Sequence, residues 1–249
     1  MIDSSYFLVL SSLFIIVVVY IAYIEKILTS NGAISTVLFG LIDNFVGGFQ
    51  YIVIFIAFVF TAYVVTKYQF TLKKAIGIQE GSGGERGWKS VTSHIFIPTV
   101  VIVLHYSLHF FDTTLFIMLF STSMGFAMSD ALASEMGVIS NETYSIIRFV
   151  KVPTGINGGI SFLGEVWAFL GSAFIVFFTL LVIFIGGMPI THFWYVTLIP
   201  IALGFSGCQI DSVLGELVEN KGYIDKFSNN FLSMASSTIL AYIVYYFMR

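Results

Sequence analysis

The stretch SDALASEMG, residues 129–137, places two carboxylates, Asp130 and Glu135, at the end of an apolar run from Thr114 to Met128. Ionised groups are costly beside hydrocarbon, so carboxylates kept there mark a site. A spacing of five turns the two about 140° apart on a helix, so one can face into a bundle while the other serves a neighbouring loop. The pattern recurs in GCQIDSVLGELVE, 207–219, where Asp211 and Glu216 are again five apart. Upstream, Gly125-Phe126 is echoed by Gly204-Phe205. This reads as a faint duplication of a helix ending in Asp-x4-Glu. Two such ends meeting would gather carboxylates around one spot. Mg²⁺ takes one or two carboxylates and keeps waters and substrate phosphates for the rest of its shell. The bland alternative is a pair of solvated helix ends at the headgroup level.

A third stretch, KVPTGINGGISFLGE, 151–165, runs from Lys151 through a glycine-rich turn into an apolar segment. Glycines let backbone N–H groups approach an anion, and a following helix N-terminus adds a favourable dipole. Arg148 and Lys151 supply charge for phosphates. The stretch is neither a Walker A loop nor GxGxxG; an ordinary glycine-rich helix start is the alternative. In QEGSGGERGWKS, 79–90, Arg86 and Lys89, with the upstream Lys73 and Lys74, could touch lipid headgroups or a nucleotide, or simply be solvated. In NNFLSMASS, 229–237, Asn229 can cap a helix while Asn230 turns toward a polar cavity. His105, His109 and Asp112 have metal-like spacing but sit opposite the other polar groups, where interfacial histidines are common.

The elements that must position these groups are membrane spans. The chain has 249 residues, 57% of them apolar and 10% charged, with a mean hydropathy of +0.94. Apolar runs of roughly 20 residues recur along it, which predicts an all-α polytopic membrane protein, a single integral domain. Seven spans are expected, about 5–24, 45–66, 92–110, 114–133, 158–186, 190–210 and 231–248. The segment 31–43 between the first two is too short to cross and is expected to be a half-helix or re-entrant hairpin. The first run follows Asp3 rather than a basic region and lacks a clean cleavage site, so it reads as a retained span. A net charge of −3 spread along the chain gives nucleic-acid binding no support, and the lone Cys208 excludes an internal disulfide framework.

Seven spans put the long loops 67–91, 134–157 and 211–230 on one side. These loops hold nine of the eleven basic residues, which predicts a cytoplasmic working face, with the N-terminus inside and the C-terminus outside.

The order SDALASEMG, VPTGINGGISFLGE, IDSVLGELVE, NNFL resembles the membrane family that includes plant phytyl-phosphate kinase. That resemblance covers about residues 30 to 240, and four motifs in order are far more specific than any one. Ala131 and Ile156 stand where the family usually has Thr, and Glu216 where it has Ala. The chain is also distantly similar to dolichol kinases and phosphatidate cytidylyltransferases (CDP-diacylglycerol synthases). The resemblance implies a CTP-dependent kinase that converts an isoprenyl monophosphate, phytyl or geranylgeranyl phosphate, to the diphosphate. It implies Asp130, Glu135 and Lys151 as catalytic groups, with Glu135 a base or second metal ligand. It further implies Asp130 and Asp211 as Mg²⁺ ligands, and Arg148, Gly155, Asn157, Gly158, Gly159, Ser161, Ser212 and Asn230 as nucleotide- or phosphate-binding residues. A lipid cytidylyltransferase would use the same parts. A small-solute transporter would spread its polar residues through the bilayer centre, whereas here they crowd one face.

Overall fold

The computed structural model describes residues 4–79 and 81–248. They form nine α-helices: α1 (Ser4–Ile24), α2 (Ser30–Val46), α3 (Phe49–Lys67), α4 (Phe70–Ala75), α5 (Trp88–Tyr106), α6 (Thr113–Gly137), α7 (Phe162–Ile185), α8 (Phe193–Leu217) and α9 (Lys226–Met248). A short antiparallel pair, β1 (Tyr144–Ser145) and β2 (Gly159–Ile160), joins Tyr144 to Ile160 and Ser145 to Gly159. The chain is an all-α polytopic membrane protein. Among the described residues, six helices are long and apolar enough to cross a membrane: α1, α3, α6, α7, α8 and α9. The expected third span, α5, falls outside that set because Lys89, Ser90, Ser93, His94 and Pro98 interrupt its apolar run.

α6 is the axis. Its hydrophobic stretch is buried on every side, as expected for a helix enclosed by others. It packs on α5, α7, α8 and α9. The echoed glycines explain how α8 comes so close. A Cβ on Gly204 would lie 2.7 Å from the Gly125 carbonyl carbon, so backbone meets backbone, as small residues allow between membrane helices.

The segment 31–43 is not a half-helix. It belongs to α2, a continuous helix of 17 residues, about 25 Å long. The Thr29 hydroxyl caps its start by accepting from Gly32 N, and the Thr29 N–H donates to the Arg86 carbonyl just before α5. α2 then runs alongside α5 until Thr99 Oγ1 donates to the buried Asp43 Oδ2 at 2.9 Å. α1 lies antiparallel, with Ser11 and Ser12 meeting Asn44. The sequence hid this passage because Asp43 and Asn44 cut the apolar run short.

The extra traverse changes the parity. α1 now ends, and α2 begins, on the face where α3, α6 and α8 end and α5, α7 and α9 begin. The first described residues of α1 and the last of α9 share the opposite face, where Tyr245 Oη donates to Asp112 Oδ2 at the start of α6 and Phe7 packs on Phe49. The expected opposition of the two ends therefore does not match the helix order. Three helices also outrun their predicted bounds: α6 reaches Gly137, α8 reaches Leu217 and α9 starts at Lys226. Asp211 and Asn230 consequently sit within helices, not loops.

Candidate functional site

Four helix ends and one loop enclose a cleft of about 200 Å³. α6 and α8 bring Asp130 and Asp211 from about two turns before their C-terminal ends, and α7 and α9 offer their N-terminal turns with Ser161, Gly164, Lys226, Asn229 and Asn230. Residues 154–160 form the rim. Helix N-termini favour anions, while the aspartates favour cations. One cleft thus presents both halves of a site for a metal-bound phosphate.

Asp130 is held by its Oδ2, which receives His94 Nε2 and Asn230 Nδ2, each at 3.1 Å. His94 Nδ1 lies 2.8 Å from the Ser90 carbonyl oxygen, which can only accept. Ser93 Oγ lies 3.1 Å from the same nitrogen, and Asn230 Nδ2 lies 3.4 Å from Nε2, so the ring is fixed between Ser90 and Asp130. His94 is 3% exposed, so the contact is shielded from water. Asp211 differs: its Oδ1 is buried and without a hydrogen-bond partner among the described residues. A buried orphan carboxylate oxygen is costly unless a cation completes it. Glu165 and Glu219 also line the cleft, held by Gln209 Nε2 at 2.8 Å and Asn229 Nδ2 at 3.0 Å.

The glycine loop is shaped by the end of α8. Gly158 has φ +78°, and a Cβ there would lie 2.5 Å from Glu216 Cβ and 2.8 Å from the Ser212 carbonyl oxygen. Only glycine fits that turn against that helix. Asn220 Nδ2 donates to the Asn157 carbonyl, and Ile78 packs over Gly155 from the α4 side.

Of the residues expected from the sequence, Asp130, Asp211, Gly155, Asn157, Gly158, Gly159, Ser161, Ser212 and Asn230 come together here. Ser161 has a structural task as well: its hydroxyl donates to the Gly137 carbonyl and accepts from Gly164 N, capping α7. Three others lie elsewhere. Glu135 accepts from Thr66 Oγ1 at 2.8 Å and Lys73 Nζ at 2.7 Å, and Lys73 is 1% exposed. Both oxygens are thus committed to the α3–α4 corner. Lys151 is exposed and lies 3.6 Å from Glu142. Arg148 Nε donates to Glu216 Oε1 at 2.8 Å, and Ser145 Oγ donates to the same carboxylate. Each Asp-x4-Glu repeat therefore divides its labour: the aspartate faces the cleft, and the glutamate fastens a neighbouring segment. Among the described residues, the basic side chain lining the cleft is Lys226. Among the described residues, no three of His, Cys, Asp and Glu converge tightly enough to hold a metal alone. A two-carboxylate Mg²⁺ site completed by phosphate and water needs no such trio.

Fold and site together define a polytopic α-helical membrane protein with an acidic, glycine-rimmed cleft at one face. Residues 13–240 match the family described as Integral membrane protein DUF92, and the chain belongs to that family. It is 27% identical over 222 residues to an uncharacterized membrane protein of Methanocaldococcus jannaschii, covering 89% of this chain and 87% of that one. It is 25% identical over 219 residues to Protein PGR of Arabidopsis thaliana, covering 81% and 75%. No solved structure matches it.

Proposed function

We propose that the chain is a kinase that uses CTP to convert an isoprenyl monophosphate, phytyl or geranylgeranyl phosphate, to its diphosphate. The observation that supports this most is the meeting of Asp130 and Asp211, from two helices, beneath the 154–160 rim, with Asp211 Oδ1 left unpartnered. That pair would hold Mg²⁺, which when bound neutralises triphosphate charge and polarises the transferred group. The α7 N-terminus and the glycine rim would cradle phosphates. Lys226 would offset the charge that develops on the transferring group, a task the sequence resemblance gave to Lys151 and Arg148. His94 and Asn230 fix the Asp130 carboxylate in place.

In the transfer, an oxygen of the acceptor phosphate bonds to the γ-phosphorus while the bond from that phosphorus to the β,γ-bridging oxygen breaks. The electron pair leaves with CDP. Phosphoryl transfer needs positioning and charge neutralisation more than covalent help. The acceptor is already anionic, so no general base is required, which agrees with Glu135 being tied to Lys73. The cleft would face the cytoplasm: with α1 ending there, Lys26 joins the nine loop cations on that side, ten of the chain's eleven basic residues. Basic residues concentrate on the cytoplasmic side of short-looped membrane proteins.

The test is to incubate membranes carrying the protein with geranylgeranyl phosphate and CTP labelled on either the α or the γ phosphate. Label from the γ position in the lipid product is the expected result. Label from the α position instead would mean a cytidylyltransferase. No transfer of either label, together with solute uptake into vesicles, would make the protein a carrier and end this reading.

A further inference from the structure

A second cavity, of about 190 Å³, lies between α1, α2, α3 and α5, away from the acidic cleft. Its lining is almost wholly apolar, Thr36 being its one hydroxyl-bearing residue. A hydrocarbon-lined void near this size stays dry and takes apolar guests. Two of its lining residues, Ile21 on α1 and Phe60 on α3, are 53% and 65% exposed. The void therefore opens sideways, toward where bilayer tails would lie. Its inner end is tied to the catalytic face. Ile27 and Leu28 line it, and the Ile27 carbonyl accepts from Arg86 N at 2.9 Å. The Arg86 guanidinium reaches Ser90 Oγ at 3.4 Å, and the Ser90 carbonyl meets His94 Nδ1 at 2.8 Å. On α5, Ile95 lines the void while its neighbour His94 holds Asp130.

We infer that this cavity receives the hydrocarbon chain of the phosphorylated lipid acceptor, with Arg86 at the junction between chain and phosphate. A cavity of this size holds only the part of a long prenyl chain nearest the phosphate, and the rest leaves between Ile21 and Phe60 into the bilayer. This deepens the kinase reading by giving its acceptor a place, but the chain-binding claim is tested separately from turnover.

The probe is geranylgeranyl phosphate carrying a diazirine on its chain, photolysed with the protein in phosphatidylcholine nanodiscs and mapped by mass spectrometry. Labels are expected on Val18, Val59 and Ile95. They should be displaced by unlabelled geranylgeranyl phosphate and not by a phospholipid with the same chain mass. Val59→Phe, which fills the void, should cut that labelling by about tenfold or more, whereas Leu181→Trp on the outer surface of α7 should not. Labels spread over α7, or labels that phospholipid displaces equally well, would overturn the inference: the void would then be filled by ordinary bilayer tails. Specific labelling without phosphoryl transfer would leave the chain pocket standing and remove the kinase reading. Transfer with labelling elsewhere would do the reverse.

Discussion

At the scale of single residues, the account turns on which carboxylates are free to act. Asp130 and Asp211 open on the cleft, and Glu135 and Glu216 hold neighbouring segments. Asp130→Asn keeps an acceptor for His94 and Asn230 and removes the charge. Turnover should fall by about 100- to 1,000-fold or more, while the melting temperature drops by less than about 10 °C. Retained activity would remove Asp130 from the metal site. His105 is a useful contrast. It stacks on Phe116 at 4.1 Å between ring centroids and meets the Phe111 carbonyl at the opposite face. His105→Ala should leave turnover per folded molecule nearly unchanged; a large loss would mean the chemistry sits at the wrong end. The aspartates were legible in the sequence because they interrupt apolar runs. His94 was not, because its partner lies 36 residues away and nothing near it in the chain marks it out. Lys226 was passed over for Lys151 and Arg148, which stand beside the glycines in sequence. The β1–β2 pairing turns those two away from the cleft.

At the scale of elements, the α4 corner and the start of α9 carry separable predictions. Lys73 and Glu135 form a buried pair, and removing one partner leaves an uncompensated charge. Glu135→Ala should therefore destabilise by about 3–5 kcal/mol, while Lys73→Met combined with Glu135→Met should recover most of that loss. If Glu135 only fastens α4, the double variant also keeps its turnover; a stable but inactive double variant would return Glu135 to the chemistry. Asp225 precedes α9, and its Oδ1 accepts from Ser228 N at 2.9 Å, a helix cap. The Ser228 hydroxyl and amide, with Lys89, pull its carboxyl down to about 2. The depressed value means the cap stabilises fully above the ordinary carboxylate range near 3.8 and is lost as pH falls toward 2. In thermal melts, Asp225→Ala should be less stable than the natural chain at neutral pH, with the gap closing between about pH 4 and 2. A gap that persists at the acid end would assign the effect to something other than the ionised cap.

At the scale of the whole molecule, topology was half legible. Long apolar runs announced the bundle and placed the acidic and glycine-rich motifs on one face. The passage of α2 was not visible, because its identity as a full traverse depends on the Thr29–Arg86 and Asp43–Thr99 contacts, which join residues 57 and 56 apart in sequence. The orientation of the acidic face makes a direct prediction. Single cysteines placed at Ser82 and at Thr191 fall on opposite faces. In intact cells an impermeant maleimide should modify Thr191→Cys and spare Ser82→Cys, with the buried Cys208 silent. The reverse pattern would put the acidic cleft outside and deprive it of cytoplasmic CTP.

The central claim is that this cleft grips a magnesium-bound triphosphate, and equilibrium binding tests it without reference to any acceptor. The purified chain should bind CTP in Mg²⁺ and lose that binding in EDTA. Asp211→Asn should bind weakly in Mg²⁺ yet no more weakly than the natural chain in EDTA, because the aspartate only repels the nucleotide once the cation is gone. Binding that ignores Mg²⁺, or that survives Asp211→Asn unchanged, would contradict the account.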